Sequence, residues 1–337
     1  MIRLWEKRTQ QNNPMDLSAT PCRSKLVLID GNAIMHRAFH ALPSLTTKSG
    51  EPINAVYGLV SMLLRVISDL NPTHIAVCFD VRAPTFRHKA FKEYQSQRPS
   101  THEDLSSQFE KAKHVIGAFG IPIYEKSGYE ADDVIGTLAK QATQSKKMKE
   151  KKGGGKETLI LIDEVVIVTG DCDILQLVNK RVRLYMPISG LSAGKLMGIE
   201  ETIERMGVKP ELIPDYKALV GDPSDNYKGV AGIGPKTAIN LLNEFGSVDG
   251  VYKHLKEVPE KTREKLEKGR EDAVMSHKLA TIVLDAPVKL ELAKAGRWRV
   301  DSKEALELFA VYGFKTLTER IKKVGKEIDD SRQMTLI

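Results

Sequence analysis

Lys25-Leu26-Val27-Leu28-Ile29-Asp30-Gly31 decides the fold: four consecutive apolar residues run into an aspartate and a glycine. A strand with one wet face alternates apolar and polar side chains, so an unbroken apolar run predicts a strand buried on both faces and ending in a turn. Outward from it, Val56, Leu59, Val60, Leu63, Leu64 and Ile67 recur at helical spacing between residues 55 and 70, which predicts an amphipathic helix. Two further runs, Ile75 to Phe79 and Val165 to Thr169, repeat the first pattern and lead into Asp80 and Gly170-Asp171. A helix through 105 to 119, a short strand from Ile121 to Tyr124 and a helix starting near Tyr129 fill the interval. Strands alternating with helices require crossover connections, so the expected class is α/β with a mainly parallel sheet flanked by helices.

The rest of the chain divides around this core of residues 25 to 199. Residues 81 to 104 interrupt the alternation with a basic, partly helical excursion rich in Arg, Lys, His, Phe and Tyr. Residues 146 to 156, lysines closing on Gly153-Gly154-Gly155, read as a flexible surface insertion. They lack the spacing of a phosphate-binding loop. From 200 to 325 the segments read as helical, with tails at 1 to 24 and 326 to 337.

At 337 residues the chain is long enough for one large or two modest domains, and 41% hydrophobic with 28% charged residues is a soluble globular balance. No apolar run approaches the ~18 residues of a spanning helix, so no membrane role is expected. Fifty-one basic against forty-four acidic residues leave a net charge of +7, which favours a polyanionic partner, nucleic acid first. The cysteines, Cys22, Cys78 and Cys172, have no metal-finger spacing and fit a reducing compartment.

The acids carry the chemistry. Asp30, Asp80 and Asp171, the last followed by Asp173, stand at the carboxyl ends of predicted strands, the edge of an open parallel sheet where ligands bind. Glu130, Asp132 and Asp133 fall in the first turn of a predicted helix, and Asp222 and Asp225 in Gly221-Asp222-Pro223-Ser224-Asp225-Asn226. Each alone can be a helix cap or an ordinary turn residue. Gathered in one crevice, however, they would repel one another without a cation. Their hard oxygen donors select Mg²⁺ or Mn²⁺ over zinc, and two such ions in a basic protein point to phosphodiester hydrolysis.

Gly229-Val230-Ala231-Gly232-Ile233-Gly234-Pro235-Lys236-Thr237-Ala238 is a second signal. Glycines permit a tight turn whose N–H groups approach phosphate, Pro235 suits a first helical turn, and Val230 and Ile233 would anchor the turn in a small core. The bland alternative is a helix-turn-helix connection without ligand. The motif resembles a helix-hairpin-helix, which grips duplex backbone without reading bases.

Taken together, Leu28-Ile29-Asp30-Gly31-Asn32, Phe79-Asp80, Thr85-Phe86-Arg87-His88, Gly128 to Asp133, Thr169-Gly170-Asp171-Cys172-Asp173 and the stretch 218 to 238 resemble the 5′-nuclease (flap endonuclease) superfamily, nearest the 5′→3′ exonuclease domain of bacterial DNA polymerase I. The resemblance runs in order from about residue 25 to 320 and implies a PIN-like core, a helical arch at 82 to 104 that passes a single-stranded 5′ end, and a helix-hairpin-helix that holds K⁺ in many members. It implies one metal on Asp30, Asp80, Glu130 and Asp132 and another on Asp171, Asp173 and Asp225, with Asp133 and Asp222 supporting. Arg37 and Arg87 match phosphate-contacting positions; Lys89, Lys92, Arg98, Gly232, Gly234, Lys236 and Thr237 are the remaining DNA-binding candidates. The implied partner is flap, nicked, gapped or RNA-primed DNA, met by a monomer.

Three departures stand out. Gln95 follows Tyr94 where the family carries lysine, so a cation assisting the scissile phosphate is absent unless Lys89, Lys92 or Arg98 supplies it. Lys228 replaces a common proline, and the 146 to 156 insertion is unusual for the compact bacterial enzymes. The expectation is a stand-alone nuclease of a plastid or mitochondrion, with bacterial cytoplasm as the alternative. Rival readings are a junction-binding protein with weakened catalysis and a PIN-type ribonuclease; the second leaves the glycine hairpin unexplained.

Overall fold

The computed structural model describes residues 24–144, 148–151, 157–160, 162–189 and 193–334. The expected tail at 1 to 24 lies outside them save for Ser24. The opening run forms strand β1 (Lys25–Asp30), followed by helices α1 (Gly31–Ala41) and α2 (Asn54–Leu70) and strand β2 (His74–Cys78). Next come α3 (Phe86–Ala90), α4 (Glu103–Ser106), α5 (Gln108–Ala118), β3 (Ile123–Tyr124) and α6 (Ala131–Gln144). After a ribbon, β4 (Met148–Lys151) with β5 (Glu157–Ile160), come β6 (Glu164–Val168), β7 (Val182–Ser189) and β8 (Ala193–Met197).

The main sheet has the order β3-β2-β1-β6-β7-β8, parallel except for β8. Burial follows the expected two-faced pattern. Leu26 and Leu28 pack with Val134, Ile135 and Leu138 of α6, while Val27 and Ile29 pack with α2 and α5 on the other face. Each fully buried aliphatic side chain contributes about 1.5–3 kcal/mol, so polar substitution along this strand would be severe. From β1 the chain moves to β2 and β3 on one side and later to β6 and β7 on the other, so the crevice beyond the end of β1 is the switch point of the sheet. Register does the rest. Asp30 pairs with Cys78 and Ile29 with Val168, which brings Asp80 and Asp171, a few residues past those pairs, to the same edge as Asp30.

The helical region contains α7 (Ile199–Met206), α8 (Ile213–Val220), the two-residue strands β9 (Gly221–Asp222) and β10 (Tyr227–Lys228), and α9 (Pro235–Phe245). It continues with α10 (Val248–Lys253), α11 (Glu260–Lys268), α12 (Arg270–Ala280), α13 (Leu292–Ala295), α14 (Lys303–Tyr312) and α15 (Lys315–Met334). Its end does not stay with the hairpin: Trp298, Phe309, Phe314, Leu317 and Ile321 bury against the α2 face of the sheet.

Two expectations need correction. Helix α15 continues through residue 326, where a tail was expected, because Leu317 and Ile321 anchor it on the core. The 146 to 156 insertion is not loop alone, since Met148–Lys151 pairs antiparallel with Glu157–Ile160; residues 145–147 and 152–156 lie outside the described ones. Strands β7 and β8 were not anticipated. Pro187 interrupts the apolar pattern of β7 and coincides with a register shift, as befits a bulged strand near a sheet edge. Among the described residues no helix is long and apolar enough to cross a membrane.

Candidate active site

The acids at the sheet edge serve as helix caps and as a cluster at once. Asp30 accepts a hydrogen bond from the Ala33 N–H at 2.9 Å, capping α1, and one from the Thr169 hydroxyl at 2.7 Å. Asp80 accepts from the Ala131 N–H at 2.7 Å, at the start of α6. Capping and convergence therefore coexist, and caps fix the carboxylates where the strands deliver them. A cavity of about 530 Å³ is lined by Asp30, Asp80, Glu130, Asp132, Asp171, Asp173 and Asp225, the metal ligands expected from the sequence.

Their electrostatics are those of crowded acids. Burial, reinforced by Asp80 and Asp171 and opposed by the hydrogen bonds from Ala33 and Thr169, pushes Asp30 up to about 7. Burial pushes Glu130 up to about 7 as well, despite Arg87 beside it. Asp132 is driven well above the carboxylate range by burial and then by Asp171, Asp30, Asp80 and Glu130. Such a cluster is a strong ligand for hard cations, which relieve both desolvation and mutual repulsion.

A second grouping comes from Asp173, Asp222 and Asp225, which each offer one oxygen within 4.8 Å of the others. Asp222, expected as a supporting acid, thus stands close enough to Asp173 and Asp225 for one cation to be shared among them. Asp171 lies between the groupings, accepting the Asp173 N–H at 2.8 Å while raising Asp30 and Asp132. The Lys217 ammonium on α8 donates to both Asp173 and Asp222. Burial opposes it, but that ammonium still holds Asp222 below the usual carboxylate range. Asp173 rises to about 6 because burial outweighs Lys217. Among the described residues, the Tyr227 hydroxyl is the buried side-chain polar atom left without a hydrogen-bond partner, and its charged neighbours are Asp173, Asp222 and Asp225 with Arg87 opposing them. An orphaned hydroxyl beside three acids fits a site that takes a hydrated cation.

The excursion at 81 to 104 folds over this cluster. Tyr94 is buried, and its hydroxyl donates to Asp225 Oδ2 at 3.1 Å and Glu130 Oε2 at 3.2 Å. Gln95, at φ 55°, reaches Asp225 Oδ1 at 3.2 Å, and Arg98 reaches the same oxygen at 2.5 Å. Lys89 and Lys92 are exposed. Arg37, on α1, is half-buried alongside Gly170. Arg87 lines the same crevice but is only 2% exposed, with its guanidinium hydrogen-bonded to Asp133, Glu130 and two carbonyls. Residues 86 to 98 are held by these polar contacts more than by helix, since α3 spans five residues only.

The glycine hairpin has the expected form. Val230 and Ile233 are buried, whereas Gly232, Gly234 and Lys236 are exposed and Thr237 half-buried. Gly232 needs its glycine, with φ +80°; Gly234 has φ −97° and open space where a Cβ would stand. Pro235 opens α9, so a free helix N-terminus follows the turn. Sequence reasoning missed Lys217 and Tyr227. A lysine amid apolar residues of α8, five before Asp222, was the available signal for the first.

Comparisons with known proteins identify the family. The model of the 5′-3′ exonuclease N-terminal resolvase-like domain matches residues 25–207, and that of the 5′-3′ exonuclease C-terminal SAM fold matches residues 208–303. The chain belongs to the 5′-3′ exonuclease family. It is 39% identical over 313 residues to DNA polymerase I of Bacillus subtilis, covering 93% of this chain and 34% of the relative. It is 40% identical over 288 residues to the thermostable DNA polymerase I of Thermus thermophilus, covering 85% of this chain and 32% of the relative. The chain thus spans about a third of the length of these relatives. In fold it is similar to the bacteriophage T5 D15 flap endonuclease solved with DNA and metal ions, with a TM-score of 0.60, 20% identity and coverage of 91% of this chain and 99% of that one. The catalytic core of Rad2 with DNA substrate matches at a TM-score of 0.55 and 15% identity, over 91% and 93% of the two chains.

Proposed function

We propose that this member of the 5′-3′ exonuclease family hydrolyses phosphodiesters near the 5′ ends of DNA flaps, nicks, gaps or RNA-primed strands, using two Mg²⁺ ions for which Mn²⁺ can substitute. The observation that carries the reading is the convergence of seven carboxylates on one crevice at the switch point of the sheet. Asp30, Asp80, Glu130 and Asp132 would hold one ion; Asp173 and Asp225, with Asp171 between the sites and Asp222 alongside, would hold the other. Bound divalent ions activate water and stabilise charge on a phosphoryl group and its leaving oxygen. The chain's own contribution is to place a duplex by its backbone on the turn at Gly232–Lys236 and the neighbouring N-terminus of α9. The excursion over the acids would then guide the single-stranded end. A K⁺ ion at that turn is part of the same reading, and its competitor is the Lys265 ammonium, 3.0 Å from the Gly232 carbonyl oxygen.

The test is incubation of end-labelled flap, nicked duplex, single-stranded DNA and RNA with Mg²⁺ or with EDTA. Cleavage confined to flap and nick, and only with Mg²⁺, supports the proposal. Binding without cleavage would support the junction-binding alternative, and cleavage of RNA alone the ribonuclease.

A further inference from the structure

An arginine carries five N–H donors in a rigid plane, and a phosphate ligand must keep some of them available. Arg87 keeps none. Its Nε donates to the Leu279 carbonyl at 2.8 Å. Its Nη1 donates to Asp133 Oδ2 at 2.8 Å and Glu130 Oε2 at 3.1 Å, and its Nη2 to Asp133 Oδ1 and the Thr281 carbonyl, both at 2.9 Å. We propose that Arg87 is a positioning residue that holds Glu130 in the site and clamps the foot of the excursion to the strap at 279 to 283. The proposal rests on the reading of Glu130 as a metal ligand.

The centre of the clamp is Asp133, which has no exposure to solvent. Besides the bidentate pair with Arg87, it accepts the Glu130 N–H at 3.0 Å and the Val283 N–H at 2.9 Å. Glu130 is thus gripped at its backbone by Asp133 and at its side chain by Arg87, with the Thr85 hydroxyl on its other oxygen at 3.2 Å. Its neighbours Asp133, Asp80 and Asp225 all repel it, and Arg87 is the opposing charge. Without that guanidinium, Glu130 loses the charged donor to its Oε2, and a carboxylate free to turn away is lost as a ligand. The strap is the other half of the clamp. Leu279, Ala280 and Ile282 line the acid crevice, and the strap continues from α12, whose Ser276 hydroxyl donates to the Lys228 carbonyl beside the glycine hairpin. One buried cation therefore joins the excursion, the ligand helix α6 and the helix behind the duplex-binding turn.

A phosphate contact and a positioning role separate experimentally. Arg87→Lys keeps the charge a phosphate needs but cannot fill five acceptor positions; Arg87→Gln keeps neither charge nor fork. In the full chain, Mn²⁺ affinity is read by calorimetry, flap affinity in EDTA across a salt series, and single-turnover cleavage against Mg²⁺ concentration. The expected result is at least a tenfold weakening of Mn²⁺ binding and a matching rise in half-saturating Mg²⁺ for both variants, with flap affinity and salt slope within twofold of the parent. Rescue of metal affinity by lysine, or loss of about one unit of salt slope in Arg87→Gln, would overturn the proposal. If the Arg87 variants unfold, Asp133→Asn decides, because it loosens both Arg87 and the Glu130 backbone: unaltered Mn²⁺ affinity there refutes the clamp. Parent protein that binds Mn²⁺ and cleaves nothing would defeat the nuclease reading alone, while equal Mn²⁺ affinity in parent and variants would defeat the positioning role alone.

Discussion

Arg98→Gln tests which cation of the excursion serves the reacting phosphate, Gln95 itself carrying no charge. The geometry favours Arg98: its Nη2 lies 2.5 Å from Asp225 Oδ1, the oxygen that Gln95 also reaches at 3.2 Å. Lys89 and Lys92, the other candidates, are exposed. Unit charges about 4 Å apart at an effective dielectric near 20 interact by about 4 kcal/mol. Half of the Arg98 side chain is exposed, at 50%, so screening reduces that to about 2 kcal/mol, equivalent to about thirtyfold in rate. The assay is single-turnover flap cleavage at saturating enzyme and fixed Mg²⁺, which removes binding from the comparison. Arg98→Gln should lose about thirtyfold, Gln95→Lys alone should change the rate by less than about threefold, and the double variant should recover about tenfold. A rate within twofold of the parent in Arg98→Gln, or a larger loss in Lys92→Ala, would refute the assignment.

Asp173→Asn should cut cleavage by about two orders of magnitude or more while leaving flap binding in EDTA nearly intact, measured by gel shift and single-turnover assay, because a ligand is lost and the phosphate grip is not. Gly234→Val should weaken duplex binding regardless of sequence at a stability cost of no more than about 1 kcal/mol, since an added Cβ meets no protein atom; a denaturant melt beside an anisotropy titration checks both halves. In the same titration Lys236→Ala should lower the salt slope by about one unit. The pH dependence follows from raised carboxyl values: Asp30 and Glu130 near 7 and Asp173 near 6 in the folded protein, against about 4 unfolded. The folded state binds the extra protons, so this stabilisation is full below about pH 4 and is lost as pH rises through 7. The melting temperature in EDTA should fall across that window, and Mg²⁺ should raise it more at pH 8 than at pH 5.

What the sequence made legible and what it hid follow from the kind of interaction involved. The strand Leu26 to Ile29 is buried on both faces, so its apolar run could mean little else, and register then carried Asp30, Asp80 and Asp171 to one edge. Glycine 232 was legible because a left-handed turn restricts the residue to a few types. Strand β7 was obscured by Pro187, and the ribbon β4–β5 by a composition of lysine and glycine that is ordinary for loops. Polar side chains were the harder case, because the same residue type serves opposite ends. Lys217 faces inward to two acids although lysine is ordinarily a surface residue. Arg87 lies in a basic segment where charge suggests contact with phosphate, yet its partners come from residues 130, 133, 279 and 281, far along the chain, and only their meeting in space fixes its role. A basic segment beside an acid cluster must divide its cations between neutralising the protein and meeting the substrate. Arg87 has every donor engaged in the first task, whereas Arg98, which lines the crevice, pairs with Asp225 and keeps half its side chain exposed, is placed to share in both.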